Sequence, residues 1–177
     1  MRIESNGQES HRRGFTLVEL LCVIVILAIA AVFVIPQLSS RGDIKTAAAA
    51  RTLMADIMYA QNRAIAKQTP QYVVFDLTAH TYALKEGSSL TTLTHPVQLK
   101  PYLQTFGSSG LEDVTLTSAT FDSKTTIAFD EIGAPYSYDS IAGLVALSVG
   151  QIKLTSEGYT LTLNVQPYTG EIALQTP

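Results

Sequence analysis

Tryptophan is absent from the 177-residue chain, cysteine occurs once, and charged side chains make up only 15% of it. The single cysteine, Cys22, excludes an intramolecular disulfide and any cysteine-based metal cluster. It sits in the most apolar stretch of the chain and so reads as a small buried hydrophobe. The three histidines, His11, His80 and His95, are far apart. There is no Gly-rich phosphate loop, no H-E-x-x-H pair and no EF-hand spacing of acids. Asp122, Asp130 and Glu131 come nearest to a calcium set, but loop acids of this kind are ordinarily solvated. No metal, cofactor or enzyme activity is expected. A basic surplus is missing too: the net charge is -3, and the residues after position 14 hold nine basic and thirteen acidic side chains. Nucleic acid is therefore not an expected partner.

What the chain does have is one long apolar run. From Phe15 to Ile35 the sequence is FTLVELLCVIVILAIAAVFVI, in which Glu19 is the only strongly polar side chain. As a helix rising about 1.5 Å per residue it is roughly 31 Å long, close to the ~30 Å hydrocarbon core of a bilayer. Arg12 and Arg13 precede it and most of the chain follows it. That bias predicts a single pass with the N-terminus cytoplasmic and the bulk outside. A cleavable secretory signal would show a shorter apolar region and an A-x-A-like site, and here Pro36-Gln37-Leu38-Ser39-Ser40-Arg41 follows instead. A plain signal anchor fits better.

Glu19 sets this run apart. A carboxylate at mid-helix in a membrane costs about 2.5 to 3.5 kcal/mol unless it is paired or reaches the interface. Two readings follow: a tolerated acid near the cytoplasmic interface, or an acid with a partner inside the membrane. An α-amine created by a cut before Phe15 would supply such a partner at the right depth.

Arg12-Arg13-Gly14 followed by Phe15-Thr16-Leu17-Val18-Glu19-Leu20 resembles the prepilin peptidase site of type IV pilins and type II secretion pseudopilins. The resemblance implies a cytoplasmic leader, residues 1–14, cleavage after Gly14, N-methylation of Phe15 and an assembly role for Glu19. It also implies that Pro36, at the position where the family commonly has a proline, bends the helix as it leaves the membrane. The partners implied are prepilin peptidase, other pilin or pseudopilin subunits, an inner-membrane assembly platform and membrane lipid. The bacterial inner membrane, then a pilus or pseudopilus, is the implied location.

Residues 42–68 are rich in Ala, Leu, Met, Arg and Gln and predict an amphipathic continuation of the helix over 36–69, ended by Thr69-Pro70. Ala50, Leu53, Ile57, Ala60 and Ala64 form an apolar stripe, and Arg51, Asp56, Gln61 and Arg63 are expected to face elsewhere. The stripe fits packing on the chain's own sheet, or a helix-to-helix contact in a filament. Beyond Pro70 the period becomes alternating. Strands are expected at 71–77, 81–86, 114–116, 125–129, 145–149, 151–155 and 159–166, with turns at Gly150, Glu157-Gly158 and Thr169-Gly170. The stretch 88–110 reads as a surface excursion with a short strand or two, and Tyr136 to Ser140 as an exposed loop.

The fold class expected is α+β: a long N-terminal helix, membrane-spanning in its first half over 15–35, packed on an antiparallel β domain over 70–177. The runs AAARTLMADIMYAQNRAIA, YVVFDL, TIAFDEIGAP and LTLNVQPYTGEIAL, with Gly133 and Gly170, resemble minor pseudopilins of the type II secretion H family and related minor pilins. Three functions stay open at this point. One is a structural filament subunit, one a binding module (adhesive or DNA-capturing) on the same anchor, and one an unprocessed single-pass membrane protein.

Overall fold

The computed structural model describes residues 15–39, 42–108, 111 and 113–175. The chain divides into two units, Met1–Ser40 and Arg41–Pro177. The first contains α1 (Leu17–Ser39), which includes Pro36 in its last turn. The second contains α2 (Gly42–Lys67) and the strands β1 (Gln71–Asp76), β2 (Thr81–Glu86), β3 (Thr91–Thr92), β4 (Leu103–Thr105), β5 (Thr115–Phe121), β6 (Thr126–Phe129), β7 (Pro135–Asp139), β8 (Gly143–Ala146), β9 (Gly150–Ser156), β10 (Tyr159–Val165) and β11 (Ile172–Gln175). Ser40 and Arg41 lie outside the described residues, so the single helix expected from the sequence is described as two.

Helix α2 forms because its sequence has strong helix formers and no interior proline, and it folds against the strands because one face is mostly small and apolar, with Leu53 and Ile57 as its large side chains. Gly42, Thr46, Ala49, Ala50, Leu53, Asp56, Ile57, Ala60 and Ala64 are buried, a continuous stripe at spacings of three and four. The helix packs on β1 and β6 of one sheet and on β9 and β10 of the other. The first sheet runs β3-β2-β1-β6-β7-β8, with β4 also on β2, and the second β11-β10-β9-β5. All the pairings are antiparallel. The α+β arrangement is therefore as expected. Each fully buried Leu or Ile, such as Leu53, Leu84, Leu154 and Leu163, contributes on the order of 1.5 to 3 kcal/mol.

Alternation carried most of the strands. In β9, Gly150, Ile152, Leu154 and Ser156 are buried between half-buried neighbours, and in β10 Leu161, Leu163 and Val165 do the same. Several expectations fail, and Gly150, expected as a turn, is instead the first residue of β9, paired with Phe121 and Val165. The exposed loop expected from Tyr136 to Ser140 is instead β7 as far as Asp139, ladder-bonded to β6 and β8, with Ser137 buried and its hydroxyl directed to Val145 O at 3.3 Å. The strand expected at 145–149 ends instead at Ala146, because the Asp122 carboxylate accepts the Ser148 and Val149 amides at 2.9 Å each and draws them off the ladder.

Another departure is inside the helix. Asp56 does not face outward: it is 8% exposed, and its carboxylate accepts from Tyr82 Oη at 2.6 Å and from Tyr102 Oη at 2.9 Å. Tyr102 in turn stacks on Tyr59 and His95, at 5.7 and 4.5 Å between ring centres. The excursion over 88–110 is thereby held down on α2, with Leu93, Tyr102 and Phe106 buried.

Asp56→Ala leaves two buried hydroxyls without their acceptor, and is expected to cost about 3 kcal/mol. Urea unfolding of a chain starting at Arg41 measures it, and a loss under about 1 kcal/mol would mean that the hydroxyls find another acceptor. Burial first, and the adjacent Asp56 charge second, push the Tyr82 and Tyr102 phenols well above their usual range. The folded chain thus keeps protons that an unfolded tyrosine surrenders near pH 10, and stability present below that pH is lost as pH rises beyond it. The urea midpoint should fall between about pH 9 and about pH 11, and a flat midpoint would remove the buried phenols from the account.

Candidate functional site

Gly14, with the rest of residues 1–14, lies outside the described residues. Phe15 is described and 79% exposed, and α1 begins two residues later. The start of that helix has a local cause. Thr16 Oγ1 accepts the Glu19 backbone N–H at 3.2 Å, and Thr16 O accepts the Leu20 N–H at 3.2 Å. Thr16 is thus the helix cap, and Thr16-Leu17-Val18-Glu19 has the T-x-x-E spacing of a capping box. That spacing was present in the sequence, and the reading from apolar length passed over it. Glu19 falls in the first turn, where the unpaired amides of a helix N-terminus favour negative charge. A carboxylate there and a cationic amine at Phe15 would be separated by one turn along the chain.

Every described side chain from Phe15 to Ala30 is exposed within its own unit. Leu17, Leu20, Leu21, Ile24 and Val25 form one apolar strip along α1. Cys22 is exposed on the same helix, which corrects the expectation of a buried thiol. Among the described residues no helix is long and apolar enough to cross a membrane. The expected span over 15–35 runs into residues 31–39, whose side chains lie outside the described residues.

The other candidate chemistry is spent on the fold. His80 Nδ1 lies 3.1 Å from Leu116 O, and His95 Nδ1 accepts the Val97 and Gln98 amides at 3.2 Å each. His11 is outside the described residues. Asp122 holds the 148–149 amides, and Asp130 Oδ1 accepts from Ile132 N at 3.1 Å and Ala134 N at 2.8 Å. These acids and Glu131 do not form a cluster of metal-binding side chains among the described residues. A groove of about 500 Å³ lined by Thr69, Ser88, Ser89, Thr91, Thr92 and Glu86 has one carboxylate, and Arg63 holds it at 2.6 Å.

The prokaryotic N-terminal methylation motif matches residues 10–35. Among solved structures, the minor pseudopilin EpsH from the type 2 secretion system of Vibrio cholerae is similar to this chain, with a TM-score of 0.52. The chain carries that motif, and its arrangement of elements is similar to that of a minor pseudopilin. The likeness to EpsH covers 75% of this chain and 98% of that one at 10% identity, so it concerns the arrangement of elements and not shared side chains. Comparison with curated proteins gives no match.

Within the residues matched by the methylation motif, the capping hydroxyl of Thr16 is the feature most readily isolated. Thr16→Val keeps the shape and removes the acceptor, a change of about 1 kcal/mol at the helix start. Hydrogen exchange of the Glu19 amide in the detergent-solubilised chain should speed up roughly fivefold, and an unchanged rate would show that the cap does not hold the first turn.

Proposed function

We propose that the chain is a minor pilin or pseudopilin: a precursor cut after Gly14, methylated at Phe15 and assembled through α1 into a type II secretion pseudopilus or a type IV pilus. The observation that carries this reading is the methylation motif over 10–35 leading into a helix whose described side chains are all exposed. An apolar helix of this kind needs lipid or neighbouring helices around it, and a filament core supplies the second after a membrane has supplied the first. In this reading residues 1–14 are the leader, 15–35 the membrane and filament-core segment, 36–69 its continuation and 70–177 the extracytoplasmic domain. Prepilin peptidase, other pilin-like subunits, the inner-membrane platform and lipid are its partners.

Removal of the leader creates a cation at Phe15, and Glu19 of a neighbouring subunit neutralises it as helices stack. In a low-dielectric bundle an unpaired charge is penalised heavily, so the pair selects one register more than it adds stability. Pro36, which lacks a backbone donor, loosens the helix near the membrane surface.

Intact mass and N-terminal sequence of the membrane-extracted chain, with and without a co-expressed prepilin peptidase, test the reading. The expected product begins at Phe15 and carries one added methyl group, whereas a chain still starting at Met1 beside active peptidase would make it an ordinary signal anchor. Glu19→Val should leave insertion and cleavage intact while lowering incorporation into filaments roughly tenfold or more, which corresponds to about 1.4 kcal/mol of lost pairing. Normal incorporation of that variant would remove the pairing from the mechanism.

A further inference from the structure

The turn that follows β2 carries a run of hydroxyls. Gly87 and Leu90 have left-handed backbone, with φ of +69° and +50°, and Leu90 N donates to Gly87 O at 3.0 Å, so Ser88 and Ser89 are held out on a tight turn. Thr91 and Thr92 follow at once as β3, and Thr94 comes two residues later. These five exposed residues line the groove of about 500 Å³. Among the described residues none of their hydroxyls has a hydrogen-bond partner, whereas Thr69 Oγ1, on the same groove, donates to Lys67 O at 3.2 Å. The segment is anchored by its backbone: Gly87 N donates to Pro70 O at 3.0 Å and Leu93 N to Leu84 O at 2.9 Å. Leu93 is the groove's one large apolar side chain, and it is 8% exposed.

The charged part of the groove is already neutral. Glu86 Oε2 accepts Arg63 Nε at 3.2 Å and Arg63 Nη2 at 2.6 Å, which leaves Oε1 without a partner among the described residues. Opposite Glu86 in the ladder of β1 and β2 stands Gln71, fully buried, whose Nε2 donates to Thr69 O at 3.1 Å and whose Oε1 has no partner. A buried carbonyl in that condition costs free energy until a donor reaches it.

This lining discriminates between ligand classes. An anion finds no free cation, because Glu86 engages Arg63 twice. A cation meets a carboxylate whose charge is already offset. An apolar ligand covers Leu93 alone and strips water from the hydroxyls around it. A neutral ligand rich in hydroxyls suits every part, since hydroxyls on either side both donate and accept, and Glu86 Oε1 is open to a charge-assisted bond. The volume lies within the range of about 300 to 1,000 Å³ common for small-molecule sites. The geometry points to this groove as a binding site for a neutral oligosaccharide, held by the Ser88, Ser89, Thr91, Thr92 and Thr94 hydroxyls and by Glu86, with a ring face over Leu93. The turn is already shaped by its own hydrogen bonds, so little ordering is left to binding. All of these residues lie in the second unit, and the site depends neither on a cut after Gly14 nor on entry into a filament.

Maltotetraose, cellotetraose and chitotetraose are titrated into the full-length chain in a sugar-free detergent, with acidic tetragalacturonate beside them, while NMR follows the backbone amides over 87–94. One or more of the neutral probes should shift these amides saturably with a Kd of about 1 mM or tighter, and the acidic probe should leave them in place. Thr91→Val with Thr92→Val keeps the strand and removes two hydroxyls, and should weaken the neutral probe roughly tenfold. Glu86→Gln leaves Arg63 as an unpaired cation, so the neutral probe should weaken and tetragalacturonate should begin to bind, an exchange that a purely structural role for Glu86 does not produce. The assignment is overturned by amides that stay unmoved with every neutral probe up to about 10 mM, or by tetragalacturonate binding the unaltered chain as tightly as they do. Full affinity in the double-valine chain, or a Glu86→Gln chain with unchanged preference, overturns it as well.

Discussion

Helix α2 is the member on which the rest of the β domain hangs, and it does so by being thin. Gly42, Ala49, Ala50, Ala60 and Ala64 bring its backbone close to both sheets, so close that a Cβ on Gly42 would lie 2.5 Å from Ser156 O. Leu53 and Ile57 then fill what space remains between the layers. A helix this close to its surroundings also brings its polar side chains within hydrogen-bonding reach of distant loops. Asp56 secures the excursion through Tyr82 and Tyr102, Gln61 secures two turns, and Arg63 reaches Glu86. The ion pair is part exposed and contributes on the order of 0 to 1 kcal/mol, whereas the buried carboxylate with two phenols is the larger determinant of how the chain is placed.

The features legible in the sequence were those written in neighbouring residues. The N-terminal methylation motif is a contiguous code, the α2 stripe is a period, and β9 and β10 alternate cleanly. What escaped notice was written in two places at once. Asp56 looks like a solvent-facing acid until Tyr82 and Tyr102, 26 and 46 residues away, arrive with their hydroxyls. Ser137 makes the stretch from Tyr136 to Ser140 look like a loop because its burial depends on the β8 carbonyl that accepts from it. The end of β8 is decided by Asp122, more than twenty residues upstream. Gln61 carries no signal by itself, and neither Gly133 nor Gly170 names the other. Thr16 was the reverse case, a local signal in plain view that a reading based on apolar length did not use.

The two units of the chain answer to different surroundings. In α1 the described side chains are exposed and mostly aliphatic, so what that helix does is set by what encloses it. Its own contribution is a defined starting point, the Thr16 cap, which fixes where Glu19 stands on the first turn. The β domain is self-contained, with its core filled by its own helix and strands.

The borders of the first sheet are short: β3 has two residues and β8 four. A long bare border would offer an unsatisfied row of amides and carbonyls to whatever strand came near. In a dense row of identical chains that would be a route to cross-β fusion, in which backbone pairing welds neighbours without regard to angle or spacing. Borders this brief leave the first sheet little length along which such fusion could propagate. Any contact made at these borders is then left to side chains, which, unlike backbone, are able to refuse a wrong neighbour.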